Sequence, residues 1–87
     1  MSYHLDFTDK AIDDISFLKN SGNRAILNKL HVLLKELTEH PYTGTGKPEP
    51  LKYALTGLWS RRINREHRLV YEVTENVVYI LSVKGHY

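Results

Sequence analysis

The residues best suited to chemistry lie in one stretch, residues 46–68, where two carboxylates stand among six cations. Glu49 lies between Pro48 and Pro50. Each proline fixes its own φ and restricts the residue before it, so the carboxylate should be held rigidly. The same stretch has one other acid, Glu66, and is otherwise rich in basic residues: Lys47, Lys52, Arg61, Arg62, Arg65 and Arg68.

With a histidine near the end of the chain, these groups have the functions needed to cleave RNA without a metal ion. Glu49 would act as the general base that takes the proton of the 2′-hydroxyl. Arg68 would stabilise the charge of the phosphorane, assisted by Arg62 and Lys52. Histidine is the side chain suited to proton transfer near neutral pH, so His86 would protonate the leaving 5′-oxygen. Because the attack needs a 2′-hydroxyl, such an enzyme would cleave RNA and not DNA.

Composition and charge limit the class of protein. The chain has 87 residues, no cysteine and 41% hydrophobic residues, which predicts one domain, residues 1–87, with an aliphatic core. It has no apolar run that could span a bilayer and no signal-peptide core, so a cytoplasmic protein is expected. The net charge of +2 divides into −1 for residues 1–43 and +3 for residues 44–87. A basic second half favours an anionic partner such as a phosphate backbone.

Sequence periodicity predicts the elements that must position these groups. Residues 3–7 alternate as a short strand, and apolar residues recur at helical spacing over residues 9–20 and again from Asn23 to a point before Pro41. Four further strands are predicted at residues 51–55, 58–63, 67–74 and 77–83, the last inside the sheet because it is apolar on both faces. The order β-α-α-β-β-β-β predicts an α+β fold: a mostly antiparallel sheet of about five strands, with the helical hairpin on one face and the other face open.

Alternation along the strands indicates which side chains share the open face. Arg68 has the parity opposite to that of the core residues expected in the fourth strand, which are His67, Leu69, Tyr71 and Val73. Arg62 shares one face of the third strand with Leu58 and Ser60. One parity of the last strand contains Val78, Ile80, Ser82, Lys84 and His86. If Arg62, Arg68 and His86 all lie on the open face, they meet Glu49 at its rim.

Each assignment has a simpler structural alternative. Glu49 would only neutralise Lys47 or Lys52, and the arginines would only hold a phosphate backbone. Arg61, whose parity opposes that of Arg62, would be a solvated strand residue.

Other histidines and a glycine-lysine pair are not expected to form a site. His4, His31, His40 and His67 are scattered without cysteine, so no metal site and no cofactor are expected, and His67 is interpreted as a structural strand residue. Gly46-Lys47 resembles the end of a P-loop, but Pro41 and Pro48 occupy the positions of its required glycine and serine or threonine.

Four segments together resemble a known family: residues 46–52, residues 55–63, residues 66–71 and the terminal His86-Tyr87. They are similar to the YoeB/Txe toxins of bacterial type II toxin–antitoxin modules, in the RelE-like superfamily, over nearly all of the second half. The resemblance implies a microbial-ribonuclease-like fold. It implies that Glu49 and Arg68 are the catalytic glutamate and arginine, and that His86 and Tyr87 are the terminal catalytic pair. The expected RNA-binding residues are Lys47, Lys52, Arg61, Arg62, Arg65 and Lys84.

The function that this resemblance implies is a ribosome-dependent mRNA endonuclease, an mRNA interferase that cuts in the ribosomal A site. Its expected partners are mRNA on the 70S ribosome and a cognate antitoxin that is acidic and partly disordered. Operator DNA would be bound only through the antitoxin complex, a homodimer is compatible with the pattern, and no membrane is involved. The alternative is a non-catalytic RNA- or ribosome-binding module, which needs Lys52, Arg62 and Arg68 but neither Glu49 nor His86.

Overall fold

A computed structural model, which describes residues 2–51 and 57–85, shows a five-stranded sheet and two helices. The strands are β1 His4–Phe7, β2 Glu49–Pro50, β3 Leu58–Arg62, β4 Arg68–Val73 and β5 Val77–Ser82, and the helices are α1 Asp9–Asn20 and α2 Arg24–Leu37. The strand order is β1-β5-β4-β3-β2, with β1 parallel to β5 and the other pairs antiparallel. The predicted α+β fold with a mostly antiparallel sheet is confirmed. No helix in the described ranges is long and apolar enough to cross a membrane.

Local capping explains where the two helices begin. The Thr8 side chain accepts a hydrogen bond from Ala11 N at the start of α1, and Asn23 accepts one from Ile26 N at the start of α2. Each cap satisfies a backbone N–H that has no partner inside its helix. Helix α2 ends at Leu37, before Pro41, as predicted.

The helices cover one face of the sheet and form the core with it. The buried apolar residues of the core are Ala11, Leu18, Ile26, Leu30, Leu33 and Leu37 from the helices, and Ile63, Leu69, Tyr71, Val78, Ile80 and Val83 from the sheet and its connections. Burying each such aliphatic side chain contributes about 1.5–3 kcal/mol. The core therefore fixes β4 and β5 from one side. The opposite face, which carries Arg68 and Glu72, is called the open face because the helices do not cover it.

The edge strand β2 lies earlier in the chain than predicted. The structure places it at Glu49–Pro50, and residues 52–55 of the strand predicted at 51–55 lie outside the described residues. Glu49 pairs with Ser60 and Pro50 with Trp59. An edge strand tolerates a proline because one side of its backbone needs no partner. Glu49 is therefore a residue of the sheet and does not belong to the loop before it.

A β-bulge between β4 and β5 changes the parity of the last strand. Tyr71 pairs with Ile80, whereas Val70 pairs with Ser82, so one extra residue is accommodated in β5. Ile80 belongs to the core, but Ser82 lies opposite a residue of the open face, and cross-strand partners share a face. The expectation that Val78, Ile80 and Ser82 share one face is therefore wrong.

Candidate active site

Two of the predicted catalytic side chains meet on the open face. Arg68 Nη1 donates a hydrogen bond to Glu49 Oε1 over 3.0 Å. The same nitrogen lies 3.5 Å from Ser60 Oγ, a weak contact. Strand register produces this arrangement, because Glu49 pairs with Ser60 on β3 and Arg68 lies on the neighbouring β4. A carboxylate, a guanidinium and a hydroxyl are thus grouped on one face of the sheet, with Ser60 itself buried.

The accessibility of the Glu49–Arg68 pair suits a ligand. The Glu49 side chain is 56% exposed and the Arg68 side chain 21%. An ion pair this open to solvent contributes only about 0–1 kcal/mol to stability. A guanidinium has five N–H donors, so Arg68 can bind an anion with its other donors while it keeps the contact to Glu49.

The expectations for Arg61 need correction, because its side chain is fully buried on the helix side of the sheet. Arg61 Nη1 lies 3.0 Å from Glu36 Oε1, and Nε donates to Tyr71 Oη over 3.1 Å. Other guanidinium N–H groups donate to three backbone carbonyls, those of His40, Thr43 and Thr45. The interpretation of Arg61 as a solvated residue is wrong, and a guanidinium enclosed in this way has no free surface to offer RNA.

The Arg61 network anchors the loop that leads to Glu49, and no pattern in the sequence indicates its partners. Glu36 accepts hydrogen bonds from Thr45 N at 2.8 Å and from Thr45 Oγ1 at 2.6 Å. Arg62 N donates to Gly46 O at 2.7 Å. The Thr45 hydroxyl, more than the nearby Arg61, holds the pKa of Glu36 below its ordinary value despite partial burial. The loop is therefore fixed up to Gly46, and Glu49 follows within a few residues.

Three of the predicted RNA-binding cations lie together. Lys47, Arg62 and Arg65 line a pocket of about 520 Å³ with Lys29 of α2. Lys29 was not among the predicted residues, since the helical pattern alone does not show that it faces the end of β3. Four cations around one depression form a surface suited to phosphate groups.

Two further residues were predicted to bind RNA, Lys84 and Lys52. The Lys84 ammonium lies 3.9 Å from the centre of the Phe17 ring of α1, a cation–π contact. Lys52 lies outside the described residues. The predicted set is thus brought together only in part.

The predicted terminal pair, His86 and Tyr87, also lies outside the described residues, but the residue before it is placed. Arg68 N donates to Gly85 O over 2.8 Å. Gly85 N donates to His67 Nδ1 over 3.0 Å. The chain is therefore held beside Arg68 up to Gly85.

The described part of the site offers acid–base and electrostatic groups. Glu49 can accept a proton, and Arg68 can stabilise negative charge beside it. Within residues 2–51 and 57–85, no group of three or more histidine, aspartate and glutamate side chains is placed to hold a metal ion. The α+β fold therefore groups the Glu49 carboxylate with the Arg68 guanidinium on one face of its sheet.

Comparisons with known proteins identify the family. Residues 7–87 match the family model described as the YoeB-like toxin of bacterial type II toxin-antitoxin system. Toxin YoeB of Escherichia coli (strain K12) is 42% identical over 83 residues, which cover 95% of this chain and 98% of that protein. The chain therefore belongs to the YoeB-like toxins of bacterial type II toxin–antitoxin systems.

Solved structures of similar proteins agree with this family and fold. The YoeB/ParE toxin from Agrobacterium tumefaciens has a TM-score of 0.90 and 35% identity, covering 97% of this chain and 99% of that chain. The YoeB dimer from Staphylococcus aureus has a TM-score of 0.87 and 40% identity, and the YoeB–YefM complex from the same organism has 0.84 and 41%; both cover 100% of each chain. The predicted RelE-like fold is confirmed.

Proposed function

We propose that this toxin is a ribosome-dependent endoribonuclease that cleaves mRNA in the ribosomal A site. The observation that carries the proposal is the contact between Glu49 and Arg68 on an open sheet face, with the carboxylate accessible. Membership of the YoeB-like toxin family supports the same reading.

In the proposed reaction the 2′-hydroxyl attacks the adjacent phosphorus. Glu49 takes the hydroxyl proton as general base. Arg68 stabilises the negative charge that develops on the phosphorane oxygens. The new bond joins the 2′-oxygen to phosphorus and the bond to the 5′-oxygen breaks, which leaves a 2′,3′-cyclic phosphate and a 5′-hydroxyl. The reaction uses no metal or cofactor in this scheme.

The terminal pair completes the proposed reaction. His86 donates the proton that the leaving 5′-oxygen needs, and Tyr87 is the second member of the pair that the family resemblance implies. The hydrogen bond from Arg68 N to Gly85 O supports this assignment, because it ties the residue before His86 to a member of the Glu49–Arg68 pair.

Cations around the site would hold the RNA backbone. Lys47, Arg62 and Arg65 keep the role predicted for them, and Lys29 joins them because it lines the same pocket. Lys52 and Lys84 are retained as candidates from the sequence. Arg61 is not, since it is buried.

The proposed partners are the 70S ribosome with its mRNA and a cognate antitoxin. One carboxylate and a few cations orient a flexible RNA poorly. The ribosome would hold the mRNA in the reactive orientation and so raise the cleavage rate. Staphylococcus aureus YoeB forms a complex with YefM and a dimer, and we propose both kinds of assembly for this chain. An acidic, partly disordered antitoxin would complement the basic surface and would link the complex to operator DNA. These partners place the proposed activity in the cytoplasm.

The test compares two carboxylates of the open face. Glu49→Gln should lower the cleavage rate on programmed ribosomes by about 10²–10⁴-fold, because it removes the general base. Glu72→Gln alters an exposed carboxylate of β4, on the same face as Arg68, and should leave the rate unchanged. Cleavage is measured by mapping mRNA 5′ ends, and binding by sedimentation with ribosomes.

The alternative, a non-catalytic RNA- or ribosome-binding module, predicts a different result. The wild type would then bind ribosomes without cutting mRNA, or Glu49→Gln and His86→Ala would both cleave at the wild-type rate. Either outcome would overturn the enzymatic proposal.

A further inference from the structure

Both backbone groups of Gly85 are held by two consecutive residues at the start of β4. The Gly85 N–H donates to His67 Nδ1 over 3.0 Å, and its carbonyl accepts from Arg68 N over 2.8 Å. Gly85 has a φ of +84°, and a Cβ there would meet nothing within 4 Å. Within the part of the chain that the structure describes, no neighbouring atoms pack against the Cα of Gly85 on that side, so the two backbone hydrogen bonds are the contacts that hold this turn.

The contact to His67 specifies one form of the imidazole. A ring nitrogen accepts a hydrogen bond only through its lone pair, so Nδ1 carries no proton and Nε2 carries it. The His67 side chain is 13% exposed, and Nε2 lies 4.0 Å from Glu66 Oε2, beyond hydrogen-bond distance. Among the described residues, the hydrogen bond from Gly85 N to Nδ1 is thus the direct polar contact of this ring.

A second anchor fixes the chain just before this turn. Val83 N donates to Asp14 Oδ2 over 3.0 Å, and Lys10 Nζ lies 2.8 Å from the same oxygen. Asp14 and Val83 are both buried. Burial alone would raise the pKa of Asp14, but the bonds from Lys10 and Val83 outweigh it and lower that pKa below its ordinary value. The segment after β5 is therefore held at Val83 by α1 and at Gly85 by β4.

From these contacts we infer that His67 is a positioning residue: by accepting the Gly85 N–H, it fixes the residue from which the chain continues to the C-terminal pair. The inference rests on the proposed function, because it assigns His67 to the orientation of His86 in the same reaction. His67 itself reaches no reacting atom. It acts through the backbone of Gly85, next to Arg68. The segment that leads to the proposed acid, His86, is thereby attached to the start of the strand whose Arg68 contacts the proposed base, Glu49.

Two amide replacements separate the acceptor from the bulk of the ring. His67→Asn places its Oδ1 near the position of Nδ1 and keeps the acceptor, whereas His67→Gln places its amide near the position of Nε2 and loses it. His67→Ala removes the acceptor as well, and gives a second test if one amide variant folds poorly. The Gly85 amide is followed by hydrogen exchange in the intact protein, since a lost hydrogen bond speeds exchange.

The expected result links the exchange rate to the reaction. His67→Gln and His67→Ala should expose the Gly85 amide and lower single-turnover mRNA cleavage by up to about 100-fold, the scale for a small misplacement of a reacting group. Ribosome affinity should not change, because His67 contributes no charge to the binding surface. His67→Asn should keep both the protection of Gly85 and the cleavage rate near those of the wild type.

Failure of the inference and failure of the proposed function give different results. If Gly85 loses protection in His67→Gln while cleavage continues at the wild-type rate, or if the Asn and Gln variants lose cleavage equally, the positioning role is overturned. If the wild type binds ribosomes without cleaving mRNA, the proposed function fails, and exchange of the Gly85 amide still decides whether His67 holds the segment.

Discussion

Arg61 on β3 and Glu36 on α2 form an ion pair, with 3.0 Å between Nη1 and Oε1, beneath the loop that leads to Glu49. The Arg61 side chain is fully buried and the Glu36 side chain is 26% exposed. The same guanidinium also donates to backbone carbonyls of the loop. The pair therefore ties the loop to both layers of the fold, and this explains how a two-residue edge strand can hold Glu49 opposite Arg68.

Replacement of Arg61 by methionine should destabilise the protein by about 3–5 kcal/mol, because it leaves a carboxylate and several carbonyls without their partner. The free energy of unfolding in urea measures this change. Arg62→Met is the matched control: the neighbouring arginine is exposed, and its replacement should change stability by no more than about 0.5 kcal/mol. Equal losses in the two variants would contradict the structural role of Arg61.

Gly46 should be more sensitive to an added methyl group than Gly22. Both have positive φ, +85° and +75°, but a Cβ at Gly46 would lie 2.8 Å from Arg62 O, whereas one at Gly22 would meet nothing within 4 Å. Gly22→Ala should cost about 1–2 kcal/mol, the strain of the left-handed conformation alone. Gly46→Ala should cost more and should also slow mRNA cleavage, because relief of the clash moves the loop before Glu49.

Urea unfolding and single-turnover cleavage of the two alanine variants test this comparison. If Gly46→Ala lowers the free energy of unfolding by no more than Gly22→Ala does, the loop accommodates the methyl group without disturbing β3. A loss of stability without a loss of cleavage would show that the position of Glu49 does not depend on this turn.

Acid should remove the stabilisation that Glu36 provides. The Thr45 hydroxyl and, to a smaller degree, Arg61 lower the pKa of Glu36 below its ordinary value of 4.5. The unfolded state therefore binds the proton first, so this contribution is complete above pH 4.5 and is lost as the pH falls through the folded-state pKa. The difference in unfolding free energy between wild type and Glu36→Gln should shrink over that range.

Asp14 offers a parallel test, because its pKa is also lowered, from an ordinary value of 3.8. The wild type should have a larger free energy of unfolding than Asp14→Asn down to a lower pH than it does relative to Glu36→Gln. The reason is that the stabilisation from Asp14 begins to be lost only below pH 3.8. Urea unfolding curves recorded at falling pH compare the three proteins. A difference that stays constant or widens on acidification would contradict the ionic role of either carboxylate.

Local signals in the sequence were sufficient to predict the helices and most strands. Thr8 and Asn23 cap the predicted helices because an N-cap depends only on residues within one turn. Strand alternation was compatible with a shared face for Arg62 and Arg68, and their direct pairing shows that they share it. The contact of Arg68 with Glu49 follows from that register.

Two features depended on contacts that sequence spacing does not encode. The bulge before Ser82 has no glycine or proline to mark it, and it inverts the parity that was assigned to the end of β5. The charge of Arg61 suggested a surface position, although its parity opposes that of Arg62. The partners of Arg61 come from α2 and from the loop that follows α2, up to 25 residues away in the chain. The burial of the Arg61 side chain could therefore not be anticipated from its neighbours in the sequence.

Removal of one cation from the pocket at the end of β3 should weaken the salt dependence of RNA binding. Arg62 lines this pocket with Lys29, Lys47 and Arg65. A contact to one phosphate of single-stranded RNA contributes about 0.7 to the slope of log affinity against log salt concentration. In a Glu49→Gln background, which prevents cleavage, Arg62→Gln should lower the slope for a single-stranded RNA by that amount and reduce affinity for all sequences alike.

The matched control is Lys19→Gln, since Lys19 is an exposed cation in the last turn of α1, on the helical layer. Its removal changes the net charge by the same amount but takes no cation from the pocket. An equal change of slope in the two variants would mean that RNA responds to total charge alone. A change confined to Arg62→Gln would place the RNA backbone along the end of β3, on the same open face as the Glu49–Arg68 pair.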